Sequence, residues 1–304
     1  MKNYQRLKGM VAATFTPLDE KGELNLSIIA PYADRLASVG MEGVFVCGTT
    51  GESLSLTVEE RKAILGAWVK AAKGRFKVIA HVGANAIGEA VELASHAQRV
   101  GADAIGAMAP SFFKPATVQD LIHFFEPIAS AASDLPFYYY NMPSMTGVSL
   151  SVADFLKLGK KTMPNLVGTK FTHNNLMEMK DCLALENGAF EVLHGYDEIL
   201  MAGLSLGAVA GVGSTYNYCP EVYKGIFEAM KNNDLDSARI LQQKSIDVVK
   251  VIIKYGGGVR GGKAIMKLIG IDCGNCRLPI TPFSEQEYQD LKKDLESIRF
   301  FTFQ

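Results

Sequence analysis

The sequence lacks an excess of charge of either sign. Lys and Arg number 31 and Asp and Glu 32, for a formal net charge of -1. That balance excludes, as a first reading, a basic chain that tracks nucleic-acid phosphates. Long apolar runs are also missing. Each apolar stretch meets Gly or a charged residue well before the ~18 residues of a membrane helix. The amino-terminal segment MKNYQRLKGMVAATFTPLDEKG has no apolar core of leader length, because Asp19 and Glu20 interrupt it. Cysteine is scarce: five residues, an odd number, scattered along the chain. Reduced thiols of a cytoplasmic protein fit that usage better than a disulfide framework. The expectation is a cytoplasmic protein with no nucleic-acid partner and no membrane partner.

What is present is apolar and glycine-rich. Hydrophobic residues make up 48% of the chain, and 29 residues are Gly. That is enough apolar surface for a large core. Eight short apolar runs recur: Val11–Thr16, Gly43–Gly48, Lys77–Gly83, Ala104–Pro110, Phe137–Pro143, Leu166–Thr172, Phe190–Asp197 and Ala208–Gly213. Near-continuous apolar runs of this length suit strands buried on both faces. Amphipathic stretches lie between them, such as Thr57–Ala72, Ala86–Val100 and Thr117–Ser133. Thr57 with Glu60 makes a capping-box pattern, and Thr117 and Ser151 stand at N-cap positions. Gly40, Gly74, Gly101 and Gly207 close helical stretches and precede strands.

This alternation predicts an α/β fold, a (β/α)8 TIM barrel over residues 1–232. A helical extension follows over 233–304, with helices at Leu235–Lys254 and Gly262–Gly270 and a last one opened by the Ser284–Glu287 capping box. No linker separates the two, so the extension is expected to pack on the barrel as one structural unit. An open doubly wound sheet is the competing architecture. Its glycine fingerprint is absent from the first loop, which reads TPLDEKGE.

Barrel enzymes carry their sites at the carboxyl ends of the strands. Lys170 is the most informative residue there, because it interrupts the apolar run LVGTKF. Charged Lys is rarely buried without a reason. Burial in an apolar barrel mouth favours the neutral amine, which can attack a carbonyl as a Schiff-base nucleophile. A lysine snorkelling to solvent is the plainer alternative. GTTGE, at Gly48–Glu52, is a tight turn whose N–H groups and hydroxyls can receive a carboxylate or a phosphate. It can equally be an ordinary βα turn. In Tyr138–Tyr139–Tyr140, Tyr138 and Tyr140 share one strand face and Tyr139 takes the other. Tyr140 can relay protons or simply pack. Asp197 and Glu198 suit sugar hydroxyls, acid–base work or a metal, and equally suit the acidic first turn of a helix.

Three further patterns carry less. GGVRGGK at Gly257–Lys263 is close to a phosphate loop, but Ala264 stands where Ser or Thr is needed and no strand precedes it. Cys273 and Cys276 form a C-x-x-C with neither a partner pair nor a redox-fold context. His81, His173 and His194 lack the acidic and His-x-His partners of a metal-hydrolase barrel. No metal site and no cofactor are expected.

Four motifs in order, GTTGE, YNMP-x-x-TG, GTKF and GVGS, resemble the family that contains N-acetylneuraminate lyase and dihydrodipicolinate synthase. The resemblance covers nearly the whole chain. It implies a class I aldolase on a (β/α)8 barrel with three extra carboxyl-terminal helices, and a homotetramer. It implies that Lys170 forms the Schiff base, that Tyr140 relays protons, and that Thr49 and Thr50 bind the α-keto carboxylate. Within the family, Met142 stands where synthase-type members carry Arg, and the strand-four loop APSFFKP offers no phenol. HGYDE and GVGSTYN are similar to the sialic-acid lyases instead. That similarity implies a sugar-contacting set of Thr172, Gly195, Asp197, Glu198 and Ser214, with sialic acid and pyruvate as small-molecule partners. A lyase for another 2-keto-3-deoxy sugar acid, dihydrodipicolinate synthase, and a non-catalytic sugar-sensing barrel are the other readings.

Overall fold

The computed structural model describes residues 4–302. The first three residues of the segment read for a leader, and the last two of the expected extension, lie outside the described residues. Eight strands form: β1 (Gly9–Ala13), β2 (Gly43–Val46), β3 (Lys77–His81), β4 (Ala104–Met108), β5 (Phe137–Asn141), β6 (Leu166–Phe171), β7 (Glu191–His194) and β8 (Ala210–Gly213). Every neighbouring pair is parallel, and β8 closes onto β1. All eight apolar runs are strands, trimmed at their ends. The run expected to reach Asp197 stops at His194, because the chain turns into a 3-10 turn at Asp197–Ile199. The first strand begins at Gly9, two residues early.

The helices between strands are α1 (Ile29–Ser38), α2 (Val58–Ala72), α3 (Ile87–Val100), α4 (Val118–Ala131), the single turn α5 (Pro143–Thr146), α6 (Val152–Gly159), α7 (Leu176–Ala184), α8 (Leu200–Ser205) and α9 (Pro220–Lys231). Their starts follow the local signals. Thr57 Oγ1 accepts the Glu60 N–H at 3.2 Å, and the Glu60 carboxylate accepts the Thr57 N–H at 2.8 Å. Thr117 makes the same box with Asp120, and Ser151 accepts the Asp154 N–H. Such caps satisfy N–H groups that the helix itself leaves unpaired. Gly101 ends α3 at φ +84°, a conformation that costs an L-residue strain.

Alternation along the strands sorts side chains into two cores. Val11, Phe45, Ile79, Tyr138, Tyr140, Leu193 and Val212 fill the barrel. Trp68, Phe125, Tyr139 and Phe155 lie between strands and helices. The tyrosine run divides as its spacing requires.

Three more helices follow: α10 (Leu235–Lys254), α11 (Gly257–Leu268) and α12 (Glu285–Ser297), the last opened by the Ser284–Glu287 box. The middle helix was expected over 262–270. It starts at Gly257, so the glycine-rich GGVRGG is helical. Glycine is a poor helix former, but here close packing outweighs propensity. A Cβ on Gly262 would lie 2.4 Å from the Phe15 ring, and one on Gly261 would lie 2.9 Å from Ile252. Arg277, before α12, pairs with Glu60 and donates to the Gly22 carbonyl at 2.9 Å. Among the described residues no helix is long and apolar enough to cross a membrane.

Candidate active site

A cavity of about 390 Å³ opens at the carboxyl ends of the strands. Thr49, Thr50, Tyr140, Lys170, Thr172, Gly195, Asp197, Glu198 and Ser214, the full set of sequence-derived candidates, all line it. They come from β2, β5, β6, β7 and β8, or from the residues just after them. Barrel closure therefore brings together groups spread over 165 positions of sequence, Thr49 to Ser214.

Lys170 and Tyr140 are register partners on adjacent strands. Lys170 is 3% exposed. Its Nζ lies 4.0 Å from the Tyr140 ring centre and 4.3 Å from that of Phe45. Among the described residues it makes no ion pair. The snorkelling alternative is thereby excluded: the amine is buried against π faces and faces the cavity. Aromatic faces hold an amine without tying up its lone pair or its protons.

The Tyr140 hydroxyl lies 3.2 Å from Thr49 Oγ1 and donates to Met142 Sδ at 3.1 Å. Thr49 belongs to a 3-10 turn, Thr49–Gly51. The turn's internal bonds use the N–H groups of Gly51 and Glu52. Those of Thr49 and Thr50 take no part in these bonds. Non-glycine residues on either side are held at positive φ, Cys47 at 58° and Glu52 at 63°. That is strained backbone, of a kind that concentrates at functional sites. Thr16 pins the turn by donating to the Gly51 carbonyl at 2.7 Å.

Behind Tyr140, His81 packs edge-on at 5.8 Å. Burial, then the nearby cations Arg61 and Lys170, hold its pKa well below the usual imidazole range. A neutral ring adds no charge beside the amine. Neither His81, nor His173 nor His194 lines the cavity.

The opposite wall is acidic. Asp197 Oδ2 accepts from Thr215 N–H at 3.0 Å and from Thr215 Oγ1 at 2.5 Å. Its Oδ1 is buried and unpartnered, as is Thr172 Oγ1. Burial pushes the Asp197 carboxyl up to about 6, against the lowering effect of Thr215. Asp197 thus opens a 3-10 turn without capping it. Close approach explains two glycines here. A Cβ on Gly195 would lie 2.0 Å from Thr172 Oγ1, and one on Gly213 2.0 Å from Asp197 Oδ1. Glu198 and Ser214 complete the edge.

Other lining residues had no strand-end signal. Val249, Ile252 and Ile253 come from α10, Gly258 and Val259 from α11, and Met145 from α5. Tyr196 and Thr215 also line the cavity, each adjacent in sequence to one of the candidates. The i, i+3, i+4 spacing of 249, 252 and 253 marks one helix face, but not what that face meets. Two patterns set aside also have a place. Lys263 pairs with Glu52 at 2.6 Å inside the protein. Burial pushes the thiols of Cys273 and Cys276 up to about 12 and about 11, far from a reactive thiolate.

The dihydrodipicolinate synthetase family model matches residues 6–298. The N-acetylneuraminate lyase of Gallus gallus is 41% identical over 298 residues, covering 97% of either chain. Among solved structures, the Proteus mirabilis N-acetylneuraminate lyase superposes with a TM-score of 0.94 at 36% identity, over 97% of this chain and 100% of the other. The N-acetylneuraminate lyase (sialic acid aldolase) of Aliivibrio salmonicida gives 0.94 at 38% identity, over 97% and 98%. A match along almost the whole barrel and extension leaves one assignment: the chain belongs to the dihydrodipicolinate synthetase family.

Proposed function

We propose that this protein is a class I aldolase that cleaves N-acetylneuraminate reversibly to N-acetylmannosamine and pyruvate. The observation that carries this reading is the buried, unpaired Lys170 amine in a cavity with a hydroxyl-rich turn on one side and an acidic edge on the other. Relatives about 40% identical along the chain bear the lyase name.

The Lys170 amine attacks C2 of the open-chain keto acid, and loss of water leaves an iminium. Thr49 and Thr50 receive the adjacent carboxylate. Tyr140 relays the proton of the C4 hydroxyl, with Thr49 as its hydrogen-bonded neighbour. The C3–C4 electron pair flows into the iminium, releasing the aldehyde and leaving the enamine of pyruvate. A proton returned to C3 gives the imine, and water then releases pyruvate and the free amine. The iminium is itself the electron sink, so the sequence of steps calls on no metal or organic cofactor. Asp197, Glu198, Ser214 and Thr172, with the space left at Gly195, accept the polyol hydroxyls.

The barrel and the extension are read as one working unit, because α10 and α11 supply part of the cavity wall. The reading includes a homotetramer, which rests on the family resemblance and which the balanced charge does not oppose, and a cytoplasmic location, which rests on the scattered, odd-numbered cysteines. Light scattering tests the oligomer, and a monomer would overturn it. The enzymatic test is borohydride reduction with pyruvate, together with pyruvate release from N-acetylneuraminate and from 2-keto-3-deoxygluconate. A stable adduct at Lys170 and preferential release from N-acetylneuraminate are expected. No adduct at Lys170 refutes the mechanism, and preference for the second substrate refutes the assignment.

A further inference from the structure

The acidic wall depends on a helix outside the barrel. Asp197 is the one buried carboxylate lining the cavity, and only its Oδ2 is held by a side chain or backbone. Its Oδ1 is buried against Gly213 and has no partner. Where that oxygen points is set by the main chain at Asp197, a short 3-10 turn that is not fixed by a strand. Two buried polar side chains of α10 hold it. Gln242 Nε2 donates to the Asp197 carbonyl at 3.1 Å, and Ser245 Oγ donates to the same oxygen at 3.2 Å. Gln242 Oε1 also accepts the Met201 N–H at 2.8 Å. That N–H lies in the first turn of α8 and has no partner within the helix. One amide side chain therefore joins the Asp197 turn to the start of α8. Ser245 is in turn held by the Tyr223 hydroxyl of α9 at 2.8 Å.

Polar residues on the buried face of an otherwise apolar contact weaken packing unless their bonds are made. Here every bond leads to the turn that carries Asp197, to the helix after it, or to the Tyr223 support. One to two turns farther along α10, Val249, Ile252 and Ile253 reach the cavity itself.

We infer that Gln242 and Ser245 are positioning residues for the sugar half of the site: they fix the Asp197 carboxylate at the cavity wall, where it meets the aldehyde portion. This rests on the aldolase reading and deepens it. Lys170 and Tyr140 lie on other strands and Thr49 in the turn after β2, and none of them bonds to the clamp. The two halves should therefore separate experimentally.

The test compares Gln242→Leu, Ser245→Ala and the double variant in the condensation direction. Misplacing a positioned group by about 1 Å carries a large effect, up to roughly 10²-fold. The KM for N-acetylmannosamine should rise about tenfold in Gln242→Leu and less in Ser245→Ala. The pyruvate concentration that half-saturates borohydride trapping at Lys170 should stay within about twofold, given that the clamp touches none of the keto-acid groups. A crystal structure of Gln242→Leu should show Asp197 Oδ1 displaced while Lys170 and Tyr140 stay in place. A merely structural role would weaken pyruvate trapping in parallel with sugar binding, and that result overturns the inference. So does an unmoved Asp197 with an unchanged sugar KM. If Gln242→Leu does not fold, Ser245→Ala carries the same comparison. Failure of the aldolase reading is a separate outcome: wild type would trap pyruvate yet condense no N-acetylmannosamine, and the variant structure would still decide the clamp.

Discussion

Two lysines are buried among the described residues, and they are held in opposite ways. Lys263 is 2.6 Å from the Glu52 carboxylate and donates to the Asn275 carbonyl at 3.0 Å. Lys170 lies against the Tyr140 and Phe45 rings and lines the cavity, with no ion pair among the described residues. A buried ion pair neutralises its own charge and occupies its own donors. It joins α11 to the turn after β2 and is chemically silent. Lys170 is met by π faces where Lys263 meets a carboxylate, so no ion pair occupies its nitrogen. The same side chain is tied to a carboxylate in one place and open to a cavity in the other because of its neighbours.

Variants should separate the two roles. The largest effect belongs to Lys170→Ala. Pyruvate release from N-acetylneuraminate should fall roughly 10⁴-fold or more, with thermal unfolding at or above the wild-type temperature. Retained turnover would break the distinction. Lys263→Met should do the reverse. Removing one partner of a buried pair costs about 3–5 kcal/mol, read by urea unfolding, while borohydride still traps pyruvate on Lys170. Adding Glu52→Leu should restore much of that loss. A stable Lys263→Met protein would show that its pair does no structural work.

Tyr140→Phe tests the next neighbour. Loss of a positioned acid–base group lowers kcat by about 10²-fold. The pyruvate adduct should still form, because the amine and its ring contact remain. Equal loss of trapping would move Tyr140 from proton relay to support of the nucleophile.

Asp197 is the intermediate case, a buried charge paired on one oxygen only. Its folded pKa is raised to about 6 by burial. The protonated form is therefore favoured by folding. The stability this group contributes is full below the usual carboxylate range and fades as pH rises through about 6. Asp197→Asn should remove that slope, an effect on the order of 1–2 kcal/mol between acid and neutral pH. Urea unfolding of both proteins at pH 4.5 and pH 7 reads the difference, and parallel slopes would count against it. Below pH 6 the wild-type KM for the sugar should rise, since a protonated carboxyl is the poorer acceptor.

Much of the site was legible because its residues stand at strand ends with small, polar neighbours. Lys170 broke an apolar run, and alternation put Tyr140 inside the barrel with it. The residues of α10 gave no such signal. Their spacing marks a buried face, but Gln242 and Ser245 meet the loop after β7, 45 and 48 residues away in sequence, and Val249 lines the cavity. The start of α11 was misread for a related reason. Glycine propensity argues against a helix at Gly257–Gly262, and the contact with Phe15 that requires glycine lies at the other end of the chain.

By itself the sequence determined the eight strands, the helix caps and the lysine that stands at the cavity. All of these follow from local periodicity and from single residues at odds with their surroundings. Only the tertiary structure decided which buried lysine is paired. Glu52 and the Arg277 N–H that shares its carboxylate are 225 residues apart. Such distances are fixed by barrel closure and by the extension folding back over it, and no local pattern encodes them.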